Sequence, residues 1–212
     1  MTTPDDLTQV DLVIARARKA QLAFEAHGSQ ARYDQAAQAV GWAIMEPARN
    51  RSLAELSVQT TGLGNVADKI TKNHRKTLGL LRDIADAKTF GVVLADSSTG
   101  ITEIARPIGV VGAVVPSTNP AATPANNSIN ALKGGNAIVL SPSPKGIPAC
   151  ALLLGYIYDE FDKLGLDHDL VQMVPAPGSK AKTQRMLETT DLVIVTGSQD
   201  NVRRAYTCGT PA

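Results

Sequence analysis

The sequence has few aromatic residues, few cysteines and almost no net charge. Only 4% of its 212 residues are Phe, Trp or Tyr, which argues against a surface that stacks on nucleic-acid bases. The 21 basic and 20 acidic residues nearly cancel, so no bulk field attracts nucleic acid or an anionic membrane. No apolar run approaches the roughly 18 residues of a membrane helix. We therefore expect neither nucleic acid nor a membrane as partner.

The cysteine and histidine content also excludes several classes of protein. Cys150 and Cys208 lie far apart and suit a reduced cytoplasmic protein better than a disulfide scaffold. No CxxC or Cys/His cluster is present, so we expect no metal site. The acidic start, MTTPDDLTQVDL, lacks the apolar core of a signal peptide. A cytoplasmic location is the expectation.

The first third of the chain predicts helices. Apolar residues recur at helical spacing between Leu7 and Phe24 and again between Tyr33 and Ile44. Pro47 indicates a break or a new turn, and SLAE at 52–55 has the form of a capping box. Gly62 and Gly64 end that helix. Asn65 can start another, whose apolar residues are Val66, Ile70, Leu78 and Leu81.

After Lys88 the pattern changes to strands. The runs 90–95 and 101–105 flank the polar turn DSSTG and predict a β-hairpin. Four continuous apolar runs then alternate with segments long enough for crossover helices, as expected of a parallel sheet covered on both faces. These predicted strands are 109–115, 136–140, 170–174 and 192–196. The expected fold class is α/β: N-terminal helices, a β-hairpin arm and a partial Rossmann-like parallel sheet with flanking helices.

Four short loops follow the predicted parallel strands. Ligands of such sheets bind beyond the carboxyl ends of the strands, so these loops should lie along one edge. All four are rich in Pro, Gly, Ser or Thr: PSTNP (116–120), SPSPK (141–145), PAPGS (175–179) and TGSQD (196–200). Their shared position is a physical indication of a binding site.

Each loop also has a plain structural interpretation. Ser198 is a natural N-cap, and the helix it begins can either hold a phosphate or be an ordinary capped helix. SPSPK can present hydroxyls and an ammonium group to a ribose or phosphate, or be a rigid surface loop. Asn119, taken alone, is a turn residue. Cys208 could be a nucleophile, but it lies at the far end of the Ser198 helix, where the helix dipole disfavours a thiolate.

Together the segments resemble the aldehyde dehydrogenase superfamily. PIGVVGAVVPSTNP (107–120) resembles its first Rossmann strand and asparagine-bearing loop, ALKGGNAIVLSPSPKG (131–146) the next helix–strand unit, and LVIVTGSQDNV (192–202) the strand leading to the pyrophosphate helix. TTGLGNVADKITKNHRKT (60–77) and RRAYTCGTPA (203–212) resemble the CoA-acylating branch, which acts on acetaldehyde, propionaldehyde or sulfoacetaldehyde. Within that branch, the PATP-like details of the Asn-bearing loop favour the enzymes that act on sulfoacetaldehyde over those that act on propionaldehyde or acetaldehyde.

The resemblance implies an enzyme that oxidises a small aldehyde to an acyl-CoA through a cysteine thiolate, with NAD or NADP as hydride acceptor and coenzyme A as co-substrate. Asn119 matches the family asparagine whose amide N–H stabilises the oxyanion. The implied cofactor-binding residues are Thr118, Ser141, Pro142, Ser143, Lys145, Gly178, Thr196, Gly197 and Ser198. The hairpin would belong to an arm through which family members form homo-oligomers.

Departures from the family pattern limit these expectations. Hydrolytic members have a lysine where Ser141 stands and often a carboxylate where Pro144 stands. Losing that carboxylate and gaining Lys145 makes NADP a credible cofactor. The chain ends before the family nucleophile, so we expect an N-terminal portion without the catalytic cysteine. The expected division is a helical segment (1–88), a hairpin arm (89–108) and a partial nucleotide-binding domain (109–212).

Two alternatives stay open at this point. The first is a hydrolytic aldehyde dehydrogenase that yields a free acid. The second is a non-catalytic nucleotide-binding or assembly fragment. A requirement for coenzyme A in the full-length protein separates the first from the acylating enzyme, and binding of NAD(P)⁺ to this chain tests the second.

Overall fold

The structure is a computed structural model that describes residues 4–212, so the first three residues of the predicted helical segment lie outside it. Four helices come first: α1 (Pro4–Ala26), α2 (Gln30–Met45), α3 (Pro47–Thr61) and α4 (Val66–Asp83). The hairpin strands β1 (Gly91–Asp96) and β2 (Ile101–Ala105) follow. The rest alternates between β3 (Val110–Val115), α5 (Ala122–Lys133), β4 (Ala137–Pro142), α6 (Ile147–Leu164), β5 (Val171–Met173), α7 (Lys180–Thr189), β6 (Leu192–Val195) and α8 (Gln199–Thr207).

These elements confirm the predicted fold class. The hairpin is antiparallel, and the other strands form a parallel sheet in the order β5-β4-β3-β6. Every residue of β3 and β4 is buried, which explains their continuous apolar sequences. The chain moves from β3 to β4 and β5 on one side and then to β6 on the other. This reversal is a topological switch point, where a ligand crevice is expected.

One apolar core joins the N-terminal helices to the sheet. Helix α2 packs on α5 and α6, and α1 packs on α7 and β4. The Tyr33 ring is fully buried between Phe24 and Phe90, with ring centroids 4.9 and 5.8 Å away. The helical segment therefore shares its core with the sheet. The proposed division into three segments remains a prediction.

Two ion pairs connect helix α1 to helix α7. Arg185 Nε lies 2.7 Å from Asp11 Oδ1, and its Nη2 lies 3.0 Å from the other carboxylate oxygen, so the pair is bidentate. The Lys182 ammonium, only 1% exposed, lies 2.9 Å from Asp6 Oδ1. These contacts hold the first helix against the helix that follows β5, next to the carboxyl edge of the sheet.

One sequence-based expectation for the helices needs correction. The capping box at 52–55 is wrong, because α3 begins at Pro47: the Glu46 carboxylate accepts from Arg49 N–H at 2.8 Å, and Ser52 Oγ bonds within the helix. Helix α4 begins after Asn65, as predicted, and its Leu81 is partly buried against the core on the same face as Thr77. Leu78 is half exposed, and the buried α4 positions are the polar residues Lys69, Asn73 and Thr77.

The strand predictions hold with small shifts at the ends. β4 runs through Ser141 and Pro142, which the sequence had placed in a loop. The hairpin is confirmed, and it exposes several large apolar side chains in and beside its strands: Phe90, Val92, Leu94, Ile101, Ile104 and Ile108. Within residues 4–212, none of the helices combines the length and apolar character that a membrane span would require.

Candidate functional site

A cleft of about 450 Å³ lies at the carboxyl edge of the parallel sheet. Residues from all four of the strand-end loops line it, as the parallel topology predicts. They include Pro116 and Ser117 after β3, Ser141, Pro142, Ser143 and Pro144 at the end of β4, Gly178 and Ser179 before α7 with Lys180 at its start, and Gly197 and Ser198 after β6. The lining is completed by Val114 and Val115 of β3, Thr183, Gln184 and Leu187 of α7, and Asn201 and Arg204 of α8.

The floor of the cleft is a hydroxyl network at the end of β4. Thr183 Oγ1 donates to the backbone oxygen of Ser179 at 3.1 Å, and Ser141 Oγ lies 2.8 Å from Thr183 Oγ1. Because the Thr183 proton is already engaged, Ser141 donates to Thr183. The lone pairs of Ser141 are then free to accept from a ligand hydroxyl, such as those of a ribose.

Ser143 supplies the clearest indication that this cleft takes a polar ligand. Its hydroxyl oxygen is buried, lines the cleft and has no hydrogen-bond partner among the described residues. A buried hydroxyl without a partner costs about 1–3 kcal/mol, and a ligand oxygen would remove that cost. The residues present therefore fit the sugar or phosphate of a dinucleotide.

The turn between β6 and α8 has the geometry of an anion site. Ser198 caps α8 by accepting from the backbone N–H of Asn201 at 3.4 Å, which confirms the predicted cap. Thr196 N–H donates to Val114 O at 3.3 Å and so joins the turn to β3. The positive end of the α8 dipole faces the cleft from beside Gly197, an arrangement that suits an anion.

The charged side chains that line the described cleft are both positive. Lys180 and Arg204 line it, and its described lining contains neither Asp nor Glu. Arg204 pairs with Asp200 one turn back on α8, whereas Lys180 is exposed at the start of α7. Lys145, the cation expected from the sequence, is exposed on the short helical turn 144–146 and is absent from the described lining. Its role remains a prediction.

The Asn119 loop (116–120) follows β3 at the same sheet edge; Pro116 and Ser117 line the cleft, whereas Asn119 lies outside its described lining. Asn119 O accepts from Thr123 N–H at 3.3 Å, which starts α5. Two lysines of α4 hold the loop from the other side. Lys69 Nζ donates to Thr118 O at 2.7 Å, and Lys72 Nζ donates to Asn119 Oδ1 at 2.8 Å.

Lys69 is buried, and its ammonium group donates to the Thr118 carbonyl where an exposed lysine would donate to water. Burial lowers its pKa, and the positive charge of Lys72 one turn away lowers it further. The surrounding helix seam is polar as well. Asn73 Nδ2 donates to Asn50 Oδ1 at 2.9 Å, and Asn50 Nδ2 donates to Ile70 O at 3.0 Å. This polar seam explains why the fully buried residues of α4 are polar.

Neither cysteine has the environment of a nucleophile. Cys150 is fully buried in α6, and burial raises the pKa of its thiol to about 12. Cys208 follows the last turn of α8, and its Sγ donates to Ala205 O at 3.0 Å. Across residues 4–212, no three His, Cys, Asp or Glu side chains come together in a group that could hold a metal ion.

Several residues of the site were not identified from the sequence. Lys180, Thr183 and Arg204 lie on helices that face the cleft, and only the packing of α7 and α8 reveals this. In the sequence, Lys69 and Lys72 stood out only as part of the segment 60–77, which resembles the CoA-acylating branch. Their three-residue spacing puts them on one helix face, but nothing local shows that this face meets the Asn119 loop.

Comparison with known proteins agrees with this architecture. A family model described as "Aldehyde dehydrogenase family" matches residues 3–210, almost the whole chain. The chain belongs to the aldehyde dehydrogenase family. The resemblance expected from the sequence is thereby confirmed.

The similar proteins lie in the acylating branch of the aldehyde dehydrogenases. The chain is 64% identical over 203 residues to a sulfoacetaldehyde dehydrogenase (acylating) of Cupriavidus necator, covering 96% of this chain and 41% of that protein. It superposes on an acetylating aldehyde dehydrogenase from Geobacillus thermoglucosidasius with a TM-score of 0.92 at 30% identity, covering 98% and 46% of the two chains.

A propionaldehyde dehydrogenase of Rhodopseudomonas palustris, solved with bound propionyl-CoA, superposes with a TM-score of 0.82 at 25% identity and covers 96% and 44% of the two chains. The protein therefore spans less than half the length of these aldehyde dehydrogenases.

Proposed function

We propose that this chain is the N-terminal part of a CoA-acylating aldehyde dehydrogenase and supplies its oxyanion donor and most of its dinucleotide cleft. The observation that carries the proposal is the shared sheet edge, where the unpartnered Ser143 hydroxyl and the α8 N-terminus lie near the Asn119 loop. The 64% identity to an acylating sulfoacetaldehyde dehydrogenase supports the same activity.

The residues of the cleft would bind and orient a nicotinamide dinucleotide. Ser141 would accept from a ribose hydroxyl, Ser143 would bond a sugar or phosphate oxygen, and Gly197 and Ser198 would face the pyrophosphate at the start of α8. When bound, the dinucleotide supplies the hydride acceptor for the oxidation. Thr118, Gly178 and Thr196 would shape the loops around it.

Asn119 would stabilise the oxyanion that forms when a downstream thiolate attacks the aldehyde. Its Oδ1 is occupied by Lys72, so its Nδ2 is the end left to donate. Removing a donor of this kind typically lowers kcat by about 10²–10³-fold. In the full-length enzyme, Asn119→Ala should lower kcat by that factor with little change in the cofactor KM. A normal kcat would contradict this role.

The cleft favours NADP over NAD. A 2′-phosphate requires a cation, whereas NAD-specific sites commonly use a carboxylate on the ribose hydroxyls. Lys180 and Arg204 line this cleft, and the part of its lining that the structure describes has no acidic side chain. We therefore expect Lys180→Ala to weaken NADP⁺ binding by about tenfold and NAD⁺ binding far less.

Lys145→Ala is the matched control for this test. If only Lys145→Ala raises the KM for NADP⁺, the 2′-phosphate lies at the end of β4 and the assignment to Lys180 is wrong. Equal losses for both cofactors in both variants would contradict an NADP-specific contact at either lysine.

For the aldehyde, the similarity to the Cupriavidus necator enzyme favours sulfoacetaldehyde as the substrate and sulfoacetyl-CoA as the product. We also propose that the full-length protein is a homo-oligomer that associates through the hairpin, where Val92, Leu94, Ile101 and Ile104 are each more than half exposed. Exposed apolar strands of this kind are costly unless another surface covers them.

A further inference from the structure

The hydrogen-bond partner of Lys72 is unexpected for the position of this residue on α4. It is an exposed residue on α4, one turn after Asp68, and an exposed lysine at that spacing commonly pairs with the carboxylate. Among the described residues, the Asp68 carboxylate instead accepts from Asn65 Nδ2 at 2.6 Å. The Lys72 ammonium instead lies 2.8 Å from Asn119 Oδ1.

The chemistry of this contact fixes the orientation of the amide. An ammonium group can only donate, and of the two ends of a primary amide only the oxygen can accept. Flipping the Asn119 amide would put two donors against each other beside a positive charge. The Lys72 contact therefore places Asn119 Oδ1 toward α4 and Nδ2 on the side away from α4. The shape of the amide alone would allow either orientation.

A second lysine holds the backbone on which the amide sits. Lys69, one turn before Lys72 and only 6% exposed, donates to Thr118 O at 2.7 Å. The Asn119 carbonyl is tied to α5 through Thr123 N–H. The loop is thus fixed at the residue before Asn119, at the Asn119 backbone oxygen and at its side-chain oxygen, and none of these contacts uses the Nδ2 group.

We infer that Lys72 is a positioning residue for the oxyanion donor: it orients and polarises the Asn119 amide, while Lys69 anchors the loop backbone. The inference rests on the proposed function of Asn119. A cation on the amide oxygen also withdraws charge from the nitrogen, which strengthens its N–H as a donor. Without Lys72 the Asn119 amide can rotate about χ2, whose energy minimum is broad. The N–H donor is then present but is no longer held in the direction of the oxyanion.

The test uses the full-length enzyme and separates kcat from KM. Lys72→Met keeps the aliphatic stem and removes the donor, Lys72→Arg keeps a cation and N–H donors, and Lys76→Met makes the same charge change one turn further along α4. An interaction made only in the transition state affects kcat and leaves KM unchanged. We expect Lys72→Met to lower kcat by about 10–100-fold with unchanged KM for aldehyde, coenzyme A and NADP⁺. Lys72→Arg should recover most of the loss, and Lys76→Met should behave as wild type.

Combining Lys72→Met with Asn119→Ala tests the mechanism directly. If Lys72 acts through Asn119, it has no effect once the amide is gone, and the double variant should match Asn119→Ala alone. Additive losses, or a raised KM with normal kcat, would overturn the inference, because Lys72 would then bind a substrate group itself.

The same set of variants separates this inference from the function it rests on. An active wild type, a strongly impaired Asn119→Ala and an unaltered Lys72→Met enzyme would overturn the inference alone. A fully active Asn119→Ala enzyme would overturn the proposed role of Asn119 and this inference with it.

Discussion

Gly112, in the middle of β3, packs closely against the side chain of Thr190. A methyl group on the Gly112 Cα would come within 2.6 Å of Thr190 Oγ1 and 3.4 Å of Met186 Cγ. The Thr190 hydroxyl cannot move freely, because it donates to Met186 O at 2.9 Å. Gly112 therefore lets α7, which carries Thr183 of the cleft, approach the sheet closely.

This contact predicts that Gly112→Ala destabilises the protein. Overpacking a rigid core site typically costs about 1–3 kcal/mol. The matched control is Gly155→Ala in α6, where an added methyl group meets nothing within 4 Å. That change should stabilise the helix by about 0.5–1 kcal/mol. Urea denaturation of both variants measures the two effects, and a stabilised Gly112→Ala protein would show that α7 packs differently.

The exposed apolar hairpin predicts an effect on assembly. Ile104 is 61% exposed and pairs with Val92, which is 57% exposed, so the two form one apolar patch. A carboxylate buried in a subunit contact without a partner is strongly unfavourable. If the full-length protein associates through the hairpin as proposed, Ile104→Asp should convert the proposed oligomer to smaller species, as measured by analytical ultracentrifugation.

The control for the hairpin is Ile104→Val, which keeps the residue apolar and should leave the assembly unchanged. Retained thermal stability of both variants would show that the sheet core, which the hairpin does not enter, is intact. An Ile104→Asp protein with the wild-type mass would place the subunit contact elsewhere.

The two thiols should differ in reactivity. Burial raises the pKa of the Cys150 thiol to about 12, so at pH 8 its thiolate is about one part in 10⁴, and the reagent also cannot reach it. We expect iodoacetamide at pH 8 to leave Cys150 unlabelled in the native protein and to label it after denaturation, as followed by peptide mass spectrometry. Half-buried Cys208 should react first of the two. Rapid native labelling of Cys150 would mean that α6 opens locally.

Much of the fold was predictable because its signals are local. Continuous apolar runs identified each strand of the parallel sheet, and the topology then required their loops to meet at one edge. Ser198 was identified as a cap from its own type and position. These predictions rest on periodicity and turn chemistry, which the chain expresses within about ten residues.

The rest depends on which elements meet. The SLAE sequence at 52–55 has the residue types of a capping box, but Glu46 and Pro47 start the helix earlier, so these residues lie inside α3. The burial of Lys69 and Asn73 on α4 could not be predicted, because it depends on the Asn119 loop and on Asn50, which lie on other elements. The Lys72–Asn119 contact joins residues 47 positions apart, so no local pattern could reveal it.

The most direct test of the account is the dependence of the reaction on coenzyme A. The full-length enzyme is mixed with sulfoacetaldehyde and NADP⁺, and NADPH formation is followed by absorbance while the products are identified by mass spectrometry. We predict that NADPH forms in proportion to added coenzyme A and that the product is the acyl-CoA thioester. Undiminished NADPH formation without coenzyme A, with the free acid as product, would contradict the acylating function.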